Sequence, residues 1–196
     1  LFSLMIELIF ASSNRNKAKE ISAALPAGFH IRTMKEAGFS AEIEEPYHTL
    51  EENAEHKAKI VSNALQTNCF AEDTGLETEA LNGEPGVRSA RYAGEPANDK
   101  KNIEKLIEKL SNRTNRKAKF KTVIALILNG EKHLFTGICE GTIIHTPRGT
   151  EGFGYDPVFI PDGSEKTFAE MPMEEKNKFS HRKKALAKMI AFLQSR

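Results

Sequence analysis

Three stretches of this chain have the residue types and spacing for chemistry on a polyanion. The first is acidic. Glu42, Glu44, Glu45, Glu51, Glu52 and Glu55 lie in residues 42–55 with no Lys or Arg among them, and Glu72-Asp73-Thr74-Gly75 follows the apolar Cys69-Phe70-Ala71. Two acids delivered by the end of a short strand can coordinate Mg²⁺, which takes oxygen ligands and keeps several waters, or can orient a water for attack. A turn capped by Asp73 is the structural alternative, and adjacent acids such as Glu44-Glu45 are ordinarily solvated. The second stretch is Ser12-Ser13-Asn14-Arg15-Asn16-Lys17. It follows a strand and opens a helix, so hydroxyls, an amide, backbone N–H groups and an ammonium converge on a helix N-terminus. That is either an anion site or ordinary capping by Ser13 or Asn14. The third is the loop Glu151-Gly152-Phe153-Gly154-Tyr155-Asp156-Pro157, followed by Lys176, Ser180, His181 and Arg182. A glycine-rich turn with an aromatic pair, backed by cations and hydrogen-bonding groups, suits a flat anionic ligand such as a nucleotide.

The elements that must hold these groups follow from periodicity. Met5 to Phe10 reads as a first buried strand, Asn16 to Leu25 as a helix, and Cys69 to Ala71 as a short buried strand. Ala54, Ala58, Val61 and Leu65 recur on one helical stripe, as do Ile103, Leu106, Ile107 and Leu110 within a helix over Asn98 to Leu110. Phe120 to Leu128 and His133 to Gly141 read as a hairpin about Asn129-Gly130, and Val158 to Ile160 as a short strand. Ser180 is placed to cap a last helix bearing Ala185, Leu186, Met189, Ile190 and Leu193. Early alternation of strand and helix with a hairpin in the middle predicts an α/β fold. Its expected form is a mixed central sheet flanked by helices, in two lobes with the active-site cleft between them, since ligands of open α/β sheets bind where strands end.

Composition narrows the classes. The 196 residues are 39% hydrophobic and 28% charged with a net charge of +1, which suits one folded domain over 1–196 and gives no bias toward nucleic acid or anionic membrane. Residues 1–4 precede an internal methionine and read as an N-terminal extension. Leu1 to Phe10 contains Glu7 and is too short to span a bilayer. Cys69 and Cys139 are 70 positions apart with no CxxC, so they read as buried thiols of a reducing, cytoplasmic compartment and not as a zinc or redox pair. No GxxxxGK[ST] occurs, which argues against a P-loop NTPase. Arg88 and Arg91 can share a helix face toward phosphate or form structural ion pairs.

Five blocks in order then resemble the inosine triphosphate pyrophosphatase family, which hydrolyses deaminated purine nucleoside triphosphates: SSNRNK (12–17), EEPYHTLEENAEHKA (44–58), AEDTGLETEALNGEPGVRSARYAG (71–94), EGFGYDPVF (151–159) and AEMPMEEKNKFSHRKKA (169–185). Each block is weak alone; the ordered set is specific. The resemblance implies that Ser12, Ser13, Asn14, Arg15, Asn16 and Lys17 hold the triphosphate and that Glu45 and Asp73 bind Mg²⁺. It makes Asp73 the general base and has Thr74 contact substrate. Phe153, Gly154, Tyr155 and Asp156 then form the base pocket, closed by Lys176, His181 and Arg182. It also implies a cytoplasmic homodimer acting on a nucleoside triphosphate. The commonest bacterial pattern has Asp-Asp-Ser where this chain has Glu72-Asp73-Thr74, an exchange that keeps charge and hydroxyl but leaves the role of Glu72 open, as is the choice between Glu44 and Glu45 as ligand.

The implied reaction is water attack on the α-phosphorus, releasing pyrophosphate and a monophosphate, with the water either deprotonated by Asp73 or supplied as metal-bound hydroxide. Hypoxanthine and xanthine present a 6-oxo acceptor where adenine presents an amino donor, so donors among Lys176, His181, Arg182 or backbone N–H groups would favour the former. Phe153 or Tyr155 can stack on the purine. The competing readings are a related pyrophosphatase for pyrimidine or modified nucleotides, and a non-enzymatic nucleotide-binding module.

Overall fold

The computed structural model describes residues 6–196. These residues form a seven-stranded mixed sheet with five α-helices and four short 3₁₀ turns, as the α/β expectation required. The strands are β1 (Ile6–Phe10), β2 (Phe29–Thr33), β3 (Cys69–Thr78), β4 (Pro85–Gly86), β5 (Lys117–Leu128), β6 (Glu131–Ile143) and β7 (Phe159–Pro161). The helices are α1 (Arg15–Ala24), α2 (Leu50–Leu65), α3 (Asp99–Lys109), α4 (Met173–Lys176) and α5 (His181–Gln194). Hydrogen bonding orders the sheet β2-β1-β3-β5-β6-β7, with β4 on β3. β1 is parallel to β2 and β3, whereas β4 is antiparallel to β3 and β7 to β6. Each parallel pair needs a crossover, and α1 and α2 provide them. Met5, expected to start the first strand, and the 1–4 extension lie outside the described residues.

The chain divides into two compact units. The first comprises 6–73, Thr122–Gly137 and Arg182–Arg196. Its core sets Leu8, Phe10, Ile31, Phe70, Ile124 and Leu126 of the strands against Ile21 of α1 and Ala185, Leu186, Met189 and Ile190 of α5, the apolar positions anticipated for the last helix. α2 starts where Thr49 accepts a hydrogen bond from the Glu52 N–H, and Glu51 and Glu52 lie in its first turn, where the helix dipole favours acids. It ends at Gln66 in the left-handed conformation. Half of the acidic run is thereby explained as helix start, with Glu55 paired to Lys59 and Lys132. The Asn129-Gly130 turn has φ of +51° and +83°, the two left-handed residues that a tight hairpin turn requires.

The second unit comprises Thr74–Lys121 and Ile138–His181. Its core gathers Leu76, Ile103, Leu106, Leu110, Phe120, Ile143, Val158, Phe159 and Phe168. Arg116 is buried and donates from Nε to the Ile143 carbonyl and from Nη1 to the Leu110 carbonyl, so an arginine serves here as backbone cement. Both cysteines are buried and unbridged, as expected, and burial pushes the Cys69 thiol up to about 12 despite a hydrogen bond.

One expected boundary is corrected. Cys69 to Ala71 is the beginning of a ten-residue strand, so Glu72 and Asp73 sit inside β3 and not in a turn after it. The strand continues because Thr74 and Gly75 can both extend and because β4 crosses close beside it: a Cβ on Gly75 would stand 2.5 Å from the Gly86 carbonyl oxygen. Gly75→Ala should therefore push β4 away and cost about 1–3 kcal/mol, a fall in Tm of several degrees in a thermal melt.

Candidate active site

β3 fixes the geometry of the acidic pair. Successive residues of a strand point to opposite faces, so Glu72 and Asp73, both buried, enter different surroundings. Glu72 meets cations. Arg182, the second residue of α5, donates to it from Nε (2.9 Å) and Nη2 (3.3 Å), and Lys17 of α1 reaches its Oε1 at 2.9 Å. Arg182 also donates from Nη1 to Glu20, one turn beyond Lys17. Burial by itself raises the Glu72 carboxyl, but Arg182 and then Lys17 outweigh it and hold the acid well below the ordinary carboxylate range. Glu72 is thus held as an anion between Arg182 and Lys17.

Asp73 meets Lys57 of α2, whose ammonium lies 3.6 Å from Asp73 Oδ1 and also bonds Glu45 Oε1. Lys57 is buried, and although burial lowers its pKa, Asp73 and Glu45 raise it further, so it stays charged. Asp73 is shifted upward: burial dominates, Lys57 and Lys17 oppose it, and the Glu45 and Glu72 charges add to it. In this unit three cations (Lys17, Lys57, Arg182) face four carboxylates (Glu20, Glu45, Glu72, Asp73). Glu45 and Asp73 already bracket one cation, and their hard oxygens fit a divalent ion of the Mg²⁺ type. Among the described residues no three or more His, Cys, Asp or Glu gather into a metal cage. Glu44 is exposed, and Glu45 is the one of the pair that faces Lys57.

The Ser12 to Lys17 run adopts the capping arrangement. Asn14 accepts a hydrogen bond from the Lys17 N–H, and Ser12 Oγ accepts one from the Asn14 N–H. Ser13, Asn14, Arg15 and Asn16 are exposed, and Ser12 and Lys17 half-buried. Lys57 was not singled out by the sequence reading. Its signal was available: it lies three residues after Ala54 on the buried stripe of α2, a position where an unpaired lysine is costly.

The second unit holds the remaining candidates. The 151–156 loop closes on Asp156, a buried acid that accepts from the Phe153 N–H (2.9 Å) and from Lys176 Nζ (2.6 Å). Gly152 is left-handed and a Cβ there would collide with the Asp156 carboxylate, so the glycine makes room for the clamp. Phe153 is half-buried, with Lys176 Nζ 5.7 Å from its ring centre. Tyr155 is buried and donates its hydroxyl to the Ser89 carbonyl at 2.8 Å. The His181 ring is buried and stacked on Phe120, centroids 4.7 Å apart. Thr74 follows Asp73 along β3 and is half-buried. Arg182 pairs with Glu72 and Glu20 in the first unit. Arg91 pairs with Glu95 at 3.3 Å, the structural alternative for that residue.

Glu72→Gln should strand Arg182 and Lys17 and lower stability by about 3 kcal/mol at pH 7. A carboxyl depressed on folding stabilises above its unfolded pKa and loses that contribution as pH falls toward the folded value. The gap in Tm between wild type and Glu72→Gln should therefore be full at pH 7 and narrow below about pH 4.

The profile of the Ham1 family matches residues 8–192. The dITP/XTP pyrophosphatase of Christiangramia forsetii is 50% identical over 188 residues, covering 96% of this chain and 99% of that protein. That of Bacillus subtilis is 44% identical over 196 residues, covering 98% and 99%. Among solved structures, the Ham1 protein of Staphylococcus aureus matches with a TM-score of 0.87 at 40% identity, over 97% of this chain and 99% of its own. A HAM1 protein from Coxiella burnetii gives 0.88 at 37%, over 98% and 100%. The likeness in sequence and fold runs nearly end to end and bears out the resemblance carried by the five sequence blocks: this chain belongs to the Ham1 family.

Proposed function

We propose that the protein is a Mg²⁺-dependent pyrophosphatase that hydrolyses deaminated purine nucleoside triphosphates (ITP, dITP, XTP) to the monophosphate and pyrophosphate, removing aberrant nucleotides from the pool. The observation that carries this reading is the Glu45–Lys57–Asp73 set, with Lys57 and Asp73 buried and Glu45 half-buried, next along β3 to the Glu72–Lys17–Arg182 cluster. Its similarity to proteins named dITP/XTP pyrophosphatase supports the substrate class.

In this reading Glu45 and Asp73 hold the metal, which when bound supplies charge neutralisation at the phosphate oxygens. Asp73 orients the attacking water and, with its pKa raised by burial, is suited to accept a proton from it. Lys17 holds the leaving pyrophosphate at the start of α1, steadied by Glu72 so that its ammonium is in place before substrate arrives. Ser12, Ser13, Asn14, Arg15 and Asn16 surround it with donors, and Thr74 offers a hydroxyl beside Asp73. Lys57 keeps the two carboxylates from repelling each other in the empty enzyme.

Base reading is assigned to the second unit. Phe153 is the stacking ring, because the Tyr155 hydroxyl is committed to the Ser89 carbonyl and its ring is buried. Lys176 and His181 provide the polar edge for a 6-oxo group. Arg182 acts from beneath Glu72 as a positioning residue. The proposal extends to a cytoplasmic homodimer, as the family resemblance implies, with neither nucleic acid nor membrane as partner.

Pyrophosphate release from ITP, dITP, XTP, ATP, GTP, UTP and dTTP, with Mg²⁺ and with EDTA, tests the proposal. ITP, dITP and XTP should exceed the others by about 10²-fold in kcat/KM, and chelation should abolish release. Equal rates on all seven would defeat the selectivity, and undiminished release in EDTA would defeat the metal assignment.

A further inference from the structure

The base-reading loop is tied to a residue that the reaction itself does not require. Asp99, in the first turn of α3, accepts a hydrogen bond from the Gly154 N–H at 2.7 Å through Oδ2. Gly154 has φ of +60°, so its peptide is held in a conformation that few side chains tolerate. One turn along the same helix, buried Asn102 accepts from the Ala93 N–H at 2.7 Å and donates to the Ala90 carbonyl at 2.9 Å. It also reaches the Ser89 carbonyl at 3.4 Å, the oxygen that receives the Tyr155 hydroxyl. Residues three apart share a helix face, so one face of α3 fixes the loop twice: at Gly154 directly, and at Tyr155 through Ser89. The helix is itself anchored, with Ile103 and Leu106 in the core and Asn98 capping its first turn.

We propose that Asp99 is a positioning residue for base selectivity, holding Gly154 so that the loop offers the purine one fixed arrangement of groups; this rests on the nucleotide reading above. Two of the loop's N–H groups are spoken for, Phe153 by Asp156 and Gly154 by Asp99. Discrimination then falls to side chains whose placement depends on the loop's shape. Without Asp99 the Gly154 peptide can rotate and present its N–H to any acceptor on a base, which weakens the distinction between a 6-oxo and a 6-amino purine.

The test compares wild type, Asp99→Ala and Asp99→Asn in steady-state kinetics on ITP and ATP, with Tm measured in parallel. In Asp99→Ala the ratio of kcat/KM for ITP over ATP should fall about three- to tenfold, the scale of one solvent-accessible hydrogen bond. The change should sit in KM for ITP, with kcat within about twofold of wild type. Asp99→Asn keeps an acceptor oxygen and should restore most of the ratio. Loss of α3 stability alone would lower activity on both nucleotides equally and leave the ratio unchanged. An unchanged ratio in Asp99→Ala, or an Asn variant as unselective as Ala, overturns the proposal while the functional reading stands. A wild-type protein that cleaves ITP and ATP alike overturns both.

Discussion

The fold's first unit depends on one buried ion cluster. Arg182, Glu72, Glu20 and Lys17 come from three elements, α5, β3 and α1, and meet almost without solvent: the Arg182, Glu72 and Glu20 side chains are each 5% exposed or less. Buried charges are costly to desolvate, and the cost is offset only where geometry is good and every group is matched. Here the fork of Arg182 grips Glu72 with two nitrogens and spends a third on Glu20, while Lys17 takes a Glu72 oxygen. The cluster joins the starts of α1 and α5 to β3. It also determines which way β3 faces. With Glu72 held on one side, strand alternation leaves Asp73 on the other, toward Lys57 and Glu45. The residue proposed for chemistry is positioned by a neighbour proposed for none.

The two units carry different kinds of polar construction. In the first, carboxylates and cations meet in direct ion pairs: Glu72 with Arg182 and Lys17, and Asp73 with Lys57. Burial raises the Asp73 pKa there, with Lys57 and Lys17 opposing it. In the second, buried polar groups mostly satisfy backbone. Asp156, Asn102, Ser89 and Arg116 each hold peptide N–H or carbonyl groups of loops and strand ends. That is how a loop with left-handed Gly152 and Gly154 can keep a defined shape.

Much of this was legible in the sequence because periodicity and turn chemistry are local. The stripes of α2, α3 and α5 and the Asn129-Gly130 turn are set by neighbours a few residues apart. The five blocks located the candidate residues for the same reason. What the sequence could not convey was pairing over long separations. Glu72 and Arg182 are 110 residues apart, and nothing nearby distinguishes a structural Glu72 from a chemical one. β2 was missed because Phe29-His30-Ile31-Arg32-Thr33 has only one fully buried residue and shows little beyond what a loop would. The turn expected after Ala71 was a strand because β4, fourteen residues on, pairs with it. Nor does the sequence near Tyr155 show that its hydroxyl is donated to the Ser89 carbonyl, 66 residues away.

The account stands or falls on Asp73. Binding of dITP by calorimetry, measured beside pyrophosphate release in Asp73→Asn, separates holding the nucleotide from cleaving it. The substitution removes a charge and a proton acceptor but keeps the side chain's shape and leaves the Glu72 cluster intact. Turnover should fall by about 10³-fold or more, with dITP still bound within about tenfold of wild type. Near-normal turnover in Asp73→Asn would contradict the account, whatever else in the cluster proved necessary.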